Sequence, residues 1–244
     1  MTPHMELVDI HCHLMPYVDD GAYDEEECLA LLKMEAEQGV STICLTPHLR
    51  ADMFETTDAE IESHFEMVLR LAREAELPLR LCYSREYHFD RILRERLRSG
   101  NLRPMGEGRF LLVEFGWSTE AEDMLEAIET VKRAGYIPLI AHVERYAPLQ
   151  ADWAFAHTLR EAGAFLQINA GSVLGREGMR QKQLTRKLLQ YGLVYAIASD
   201  AHDTDVRIPE LERCAQFVEK KYGRDKARRL LCENPKRILD GLKE

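Results

Sequence analysis

Nine side chains able to bind a divalent metal occur in short clusters along this 244-residue chain: His11 and His13, Asp20, His48, Glu86, Glu114, His142, then Asp200 with His202. All nine are imidazoles or carboxylates and none is a thiolate. That donor set suits hard-to-borderline divalent ions and water activation rather than a structural zinc clip. Most of the clusters sit where an apolar run ends. Thr46-Pro47-His48 closes the run 41–46, Glu114 closes 110–113, His142 closes 137–141, and Asp200 and His202 follow 194–199. Burying a carboxylate or imidazole at a strand end is costly without a partner. One such residue is commonly a core hydrogen-bonder, but the repetition of such clusters along the chain points to a shared metal centre.

In Asp9-Ile10-His11-Cys12-His13, strand alternation places Asp9, His11 and His13 on one face and Ile10 and Cys12 on the other. The two imidazoles then stand about 6–7 Å apart along the backbone and can converge on one ion. Asp9 is too far back to ligate and is expected to orient a histidine. An isolated HxH is a weak pattern, more often a strand with satisfied histidines; the other clusters carry the reading. His4, His64, His88 and His157 fall outside them and read as ordinary surface or core residues. Trp117 and Ser118 read equally as lining of the mouth and as strand-end packing, and Met53 and Phe54 after His48 are candidates to touch an aromatic leaving group.

The elements that must position these residues alternate. Expected strands cover 7–12, 41–46, 79–83, 110–115, 137–142, 165–169 and 194–199. Expected helices lie near 24–38, 58–75, 90–98, 119–134, 152–162, 179–190 and 207–221, with a helical tail near 225–241. Gly39, Gly135, Gly163 and Gly192 follow helices and suit their C-terminal caps. Seven strand–helix units predict an α/β fold with a parallel sheet covered on both faces. Closure into a barrel is expected over an open sheet, because strand C-termini then converge on one mouth. No linker or low-complexity tract divides residues 1–244, so one domain is expected.

A net charge of −10 argues against a nucleic-acid surface. Six cysteines without a CxxC pair fit reduced thiols in a cytoplasmic setting. No signal peptide is visible, and no apolar run approaches the roughly 18–20 residues of a membrane span. Met1-Thr2-Pro3-His4-Met5 reads in part as a start-site extension. The basic run Lys220, Lys221, Arg224, Lys226, Arg228 and Arg229 reads as the solvated face of a terminal helix, with contact to an acidic or tyrosine-rich tail as the lesser reading.

DIHCH (9–13), VDDG (18–21), TPH (46–48), the Glu86 and Glu114 positions, AHVERY (141–146) and ASDAH (198–202) together resemble the PHP phosphoesterase family. HxH with SDAH alone marks only the superfamily. DIHCHLMPYVDDG with AHVERY resembles its bacterial manganese-dependent tyrosine-protein phosphatases of the capsular-polysaccharide type. The resemblance runs from residue 9 to about 209. It implies a distorted (β/α)7 barrel holding three metal ions, usually Mn2+ with iron or zinc as other occupants, on the nine residues named above. Three divalent ions would bring the charge of −10 to about −4. Glu86 and Glu114 are expected to bridge ions, and Arg145 and Arg207 to bind phosphate. The implied reaction is metal-assisted hydrolysis of a phosphate monoester, with Asp20, a nearby histidine or a metal-bound water protonating the leaving group. The implied substrate is a phosphotyrosine protein, a bacterial tyrosine kinase controlling polysaccharide synthesis or export. The chain departs from the family in Ser84-Arg85 before Glu86 and in Leu49-Arg50 after His48. Arg85 and Arg50 are therefore expected to add positive charge at the mouth.

Rival readings are few. Histidinol-phosphate phosphatase is the main alternative, proofreading nuclease is disfavoured by the acidity, and a binding module without turnover is disfavoured by the intact ligand set. Cys44 to Arg50 has the C-x5-R spacing of thiol-dependent phosphatases. Yet no glycine lies between them to turn amides inward, and Cys44 falls inside a strand.

Overall fold

The structure, a computed structural model, describes residues 5–241. His4 and the rest of 1–4, and residues 242–244, lie outside the described residues. The apolar runs form β1 (Leu7–Asp9), β2 (Val40–Leu45), β3 (His48–Leu49), β4 (Arg80–Tyr83), β5 (Glu86–His88), β6 (Phe110–Glu114), β7 (Ile137–Ile140), β8 (Phe165–Asn169) and β9 (Ala196–Ala198). Between them lie α1 (Glu25–Glu37), α2 (Asp58–Glu74), α3 (Arg91–Ser99), α4 (Ala121–Arg133), α5 (Ala147–Ala151), α6 (Phe155–Glu161), α7 (Ala170–Leu174) and α8 (Met179–Gln190), and α9 (Leu211–Tyr222) follows the last strand. The tail forms α10 (Arg224–Arg228), a π-helical turn Arg229–Glu233, and α11 (Asn234–Asp240).

Local chemistry explains the helix ends. Asp24 caps α1 at Glu27 N, Thr57 and Glu60 form a reciprocal capping box on α2, and Asp90 accepts from Ile92 N and Leu93 N at the start of α3. Gly39, Gly135, Gly163 and Gly192 all take the positive φ that ends a helix, between 70° and 102°.

Every strand pair is parallel, in the orders β1-β2-β4 and β3-β5-β6-β7-β8-β9. The two groups belong to one curled parallel sheet. Ser84 N reaches Leu45 O at 2.9 Å and Glu86 N reaches Pro47 O at 3.1 Å, so hydrogen bonding continues past the breaks between them. At the other edge a parallel bridge joins Cys12 to Ala201, with His13 N on Ala201 O and Asp200 N on His11 O, each at 2.8 Å. The chain after β1 thereby meets the chain after β9.

Two apolar layers result. A smaller cluster, built on Val8, Ile10, Cys44, Phe110, Leu112, Leu139, Ala196 and Ala198, takes the strand side chains that face into the curl, and Ile238 and Leu239 join it from α11. A larger cluster packs the outer strand faces against the helices.

The expected elements differ from the observed ones in three places. The expected second and third strands stand as β2 and β4, and each is followed, after a break at Thr46-Pro47 and at Ser84-Arg85, by a further short strand, β3 and β5, that was not expected. Pro47 has no N–H to offer the ladder. β1 stops at Asp9 rather than Cys12. The short α5, α7 and the 3-10 turn Val143–Arg145 carry too few residues to show helical periodicity.

Candidate metal centre

Because β1 ends at Asp9, strict alternation stops before the first two histidines. Ile10 joins the inner cluster while Cys12 joins the outer one, so they do not share a face as expected. His11 and His13 nonetheless converge, with their Nε2 atoms 3.3 Å apart in a fully buried position. Their Nδ1 atoms are held from behind, by Gln167 Oε1 at 3.1 Å and by Asp19 Oδ2 at 2.7 Å. Asp9 holds neither ring. It accepts from Ser199 N and Oγ and from His11 N, and so fixes the backbone turn before Asp200. The VDDG loop folds tightly beneath His13: a Cβ on Gly21 would lie 1.9 Å from His13 O.

The remaining imidazoles close on the same point. His142 places Nε2 2.8 Å from Glu86 Oε1, and its Nδ1 faces Tyr146 Oη at 3.2 Å. His202 Nδ1 faces the Asp200 carbonyl at 3.0 Å. His48 Nδ1 lies 3.0 Å from Glu86 Oε2 and 3.2 Å from Glu114 Oε1. Asp20 is the rim residue, with half its side chain exposed and Oδ1 3.4 Å from His48 Nε2 and 3.6 Å from His202 Nε2. Glu86 is central: its Oε2 also lies 3.2 Å from both His11 Nε2 and His13 Nε2.

Asp200 is oriented by donors on one side only. Its Oδ2 accepts from Asn169 Nδ2 at 2.7 Å and Arg207 Nη2 at 2.8 Å, with Arg145 Nη1 at 3.0 Å. Its Oδ1 faces His11 and His13. His142 and Asp200 both occupy positive φ, 29° and 54°, which turns them out of the direction of the preceding strands. Such strain in non-glycine residues costs on the order of 1–3 kcal/mol and clusters at functional sites.

All nine expected residues are therefore together. Donor atoms within 4.8 Å of one another group as His13, Asp20, His48 and His202; as His11, His142 and Asp200; as His11, His13 and Glu86; and as His48, Glu86 and Glu114. Five buried atoms of this set have no hydrogen-bond partner: His48 Nδ1, Glu86 Oε2, Glu114 Oε1, Asp200 Oδ1 and His202 Nε2. Such atoms carry the full desolvation cost unless something else binds them. Lone pairs of mixed imidazole and carboxylate type, converging from several sides, fit cations.

The electrostatics agree. Burial works against a charged His11, yet Glu86 and Asp200 raise its pKa to about 9. Burial likewise opposes His48, but Glu86 and Glu114 lift it to about 12. Burial and the His13 charge push His202 down to about 4. Glu86 and Asp200 stay well below the carboxylate range despite burial, held there by His11 and His48 in one case and Arg145 and Arg207 in the other. The carboxylates demand positive charge, and the imidazoles compete for it.

Arg145 and Arg207 open onto a cleft of about 600 Å³ lined also by Trp117, Ser118, Gln150 and Gln181. Trp117 is 72% exposed, so it is a wall of the mouth and not strand-end packing. Phe54 stacks on His48, centroids 5.2 Å apart and planes 10° from parallel, and Met53 is exposed. Arg85 does not add charge at the mouth as expected. It is buried, donating to the Thr56 and His48 carbonyls at 3.1 and 2.8 Å, and it braces the broken strand that carries His48. Cys44 is also fully buried, in the inner cluster, and its thiol is pushed far above the ordinary value, which removes it as a nucleophile.

Sequence reasoning passed over the residues that hold the ligands. Gln167 and Asn169 had a signal, polar side chains at alternate positions of the apolar strand Phe165–Asn169. Asp19 and Tyr146 lie inside quoted motifs. Glu177, which accepts from Arg145 Nε at 2.8 Å and Asn169 Nδ2 at 3.2 Å, had no signal.

Known proteins share this arrangement of chain. Tyrosine-protein phosphatase CpsB of Streptococcus pneumoniae is 33% identical over 238 residues, covering 96% of this chain and 98% of its own. A solved structure from work on YwqE of Bacillus subtilis and CpsB of S. pneumoniae, described as metal-dependent tyrosine phosphatases, superposes with a TM-score of 0.89 at 26% identity, over 96% of this chain and 94% of that one. Histidinol phosphate phosphatase of Lactococcus lactis, at 15% identity and a TM-score of 0.58 over 89% of this chain and 94% of its own, shares the fold alone. Residues 7–240 match the sequence profile described as capsular polysaccharide synthesis, CpsB/CapC, and the chain belongs to that family.

Proposed function

We propose that this chain is a metal-dependent protein-tyrosine phosphatase. The observation that carries the reading is the set of orphaned buried donor atoms beside two arginines that face an open cleft. The metal would be held by His11, His13, Asp20, His48, Glu86, Glu114, His142, Asp200 and His202, as three Mn2+ ions. Glu86 and Glu114 would be the bridges; Glu86 belongs to two of the donor groupings and shares one of them with Glu114. Bound divalent ions supply water activation, lowering its pKa from about 15.7 toward 7, and charge neutralisation at phosphoryl oxygens.

The chain's own residues do the rest. Arg145 and Arg207 are anchored by Glu177 and Asp200 and turn their remaining guanidinium N–H groups to the phosphate, a double task that a lysine does not reproduce. Gln167 and Asp19 lock His11 and His13 with their Nε2 lone pairs directed inward. Asp20, the most exposed of the nine, has its carboxyl held well below the ordinary range by His202 and His48, so it is ionised and serves as a ligand at the rim rather than as the proton donor for the leaving tyrosinate oxygen. Trp117 walls a cleft wide enough for an aromatic phosphoester carried on a polypeptide.

We read the nine strands as seven barrel positions, β2 with β3 and β4 with β5 each filling one, within a single domain over the whole chain. The six cysteines are unpaired, which supports a cytoplasmic setting, and no helix among the described residues is long and apolar enough to cross a membrane. The substrate proposed is the phosphorylated tail of a bacterial tyrosine kinase that controls capsular or exopolysaccharide export. The test is hydrolysis of a phosphotyrosine peptide by metal-stripped protein refilled with manganese, with histidinol phosphate alongside. Manganese-dependent turnover of the peptide, indifferent to thiol alkylation, is expected. Preference for histidinol phosphate would move the substrate, and turnover that survives chelation would remove the metal.

A further inference from the structure

A second pocket of about 180 Å³ lies between α8 and α9. Lys182 and Arg186 reach it from α8, and Lys221 from α9; Phe217, Tyr222 and Leu189 supply apolar surface. No carboxylate lines it, although the chain carries a net charge of −10. Lys182 and Arg186 stand one helical turn apart, where like charges repel. Among the described residues none of the three cations is ion-paired. Lys182 Nζ donates only to the Leu174 carbonyl, at 3.1 Å, and Lys221 Nζ lies 5.4 Å from the Phe217 and Tyr222 ring centroids. Burial and the charges of Arg186 and Lys182 push the Lys221 ammonium below its usual value. Tyr222 Oη is a buried polar atom without a hydrogen-bond partner. Three unneutralised cations and an unused hydroxyl around aromatic walls lack one thing, a negative charge with an apolar body.

We propose that this pocket binds a small organic anion, a carboxylate, sulfonate or phosphate joined to an aromatic or aliphatic group, and that its occupancy is felt at the catalytic cleft. The charged head would pair with Arg186 and Lys182, and the body would rest on Phe217 and Tyr222. The line to the cleft is short. Lys182 holds the last carbonyl of α7 and lies over Gly175, where even a Cβ would come within 2.8 Å of it. Two residues beyond Gly175 is Glu177, which holds Arg145 Nε at 2.8 Å. An anion that draws Lys182 away from Leu174 loosens the segment that positions Arg145. The cleft itself rests on the phosphatase reading; the pocket does not.

The test is calorimetric titration of the intact protein with naphthalene-1-sulfonate at low salt, beside neutral 1-naphthalenemethanol. One site is expected for the sulfonate and none for the alcohol. Arg186→Glu, distant from the catalytic groups and expected to keep basal turnover, should weaken the sulfonate by about tenfold or more. Arg145→Ala should leave the sulfonate bound at least as tightly, since that change lies in the other cleft and removes only the group through which occupancy is felt there. No sulfonate binding at millimolar concentration, binding unchanged in Arg186→Glu, or binding lost in Arg145→Ala would each overturn the site. With saturating sulfonate, KM for an aryl phosphate should rise while kcat holds, and a KM that does not move overturns the link to the cleft. Because binding is read without turnover, failure of the phosphatase reading is separate from failure of the pocket.

Discussion

Replacing Arg145 by alanine should separate the proposed phosphate binding from the proposed metal binding. The guanidinium is spent on two carboxylates, Nε on Glu177 at 2.8 Å and Nη1 near Asp200 Oδ2 at 3.0 Å, which leaves Nη2 without a partner among the described residues and the fork preoriented in the cleft. A charged hydrogen bond of this kind contributes about 1.5–3 kcal/mol, so kcat/KM for a phosphotyrosine peptide should fall by roughly 10- to 150-fold. Metal content should hold, because Asp200 Oδ2 keeps Asn169 at 2.7 Å and Arg207 at 2.8 Å, and Oδ1 still faces His11. Arg145→Lys should recover little, since one ammonium cannot hold Glu177 and Asp200 and face the phosphate as well. The assay is steady-state kinetics on protein whose metal content is measured in the same sample by plasma mass spectrometry. A kcat/KM within about twofold of the parent at full metal content would refute the assignment, and loss of metal would show that Arg145 serves Asp200 rather than substrate.

Gln167→Leu removes the acceptor behind His11 Nδ1 and His142 N, at 3.1 and 2.8 Å, and should weaken metal affinity by roughly 10- to 100-fold in competition with a chelator. Gly21→Ala places a Cβ 1.9 Å from the His13 carbonyl and should cost about 1–3 kcal/mol in denaturant unfolding, with metal affinity falling alongside; an unchanged midpoint would mean the VDDG loop moves freely. In metal-stripped protein His11 is raised from 6.5 to about 9, so its contribution to stability is complete below pH 6.5 and is lost as the pH rises toward 9. His202, lowered from 6.5 to about 4, acts only below that window, so the melting temperature of stripped protein should fall between pH 6.5 and 9 while that of metal-loaded protein does not.

The clustering of these nine positions was legible because each carries a cost that sequence alone displays. His142 after Ile137–Ile140 and Glu114 at the end of Phe110–Glu114 are polar groups in buried strand ends, and only a shared purpose explains their repetition. Helix ends were legible for a similar reason. Gly39, Gly135, Gly163 and Gly192, all at positive φ, end helices by a rule that acts over a few residues.

What escaped the sequence is set by contacts across the fold. Alternation wrongly made Asp9 a partner of a histidine ring, because β1 ends at Asp9 and its carboxylate meets Ser199, 190 positions away. Arg85 looked like free charge beside Glu86, yet the break between β4 and β5 turns it inward onto the carbonyl of His48. The same breaks serve the centre. An unbroken second strand would continue its alternation through His48, whereas the Thr46-Pro47 interruption lets β3 restart with His48 paired in register with Glu86. Their side chains then meet at 3.0 Å. Regular pairing builds the curled sheet, and its local failure aims the clustered donor groups; a sequence rule founded on regularity finds the sheet first and the aim only where a proline marks it.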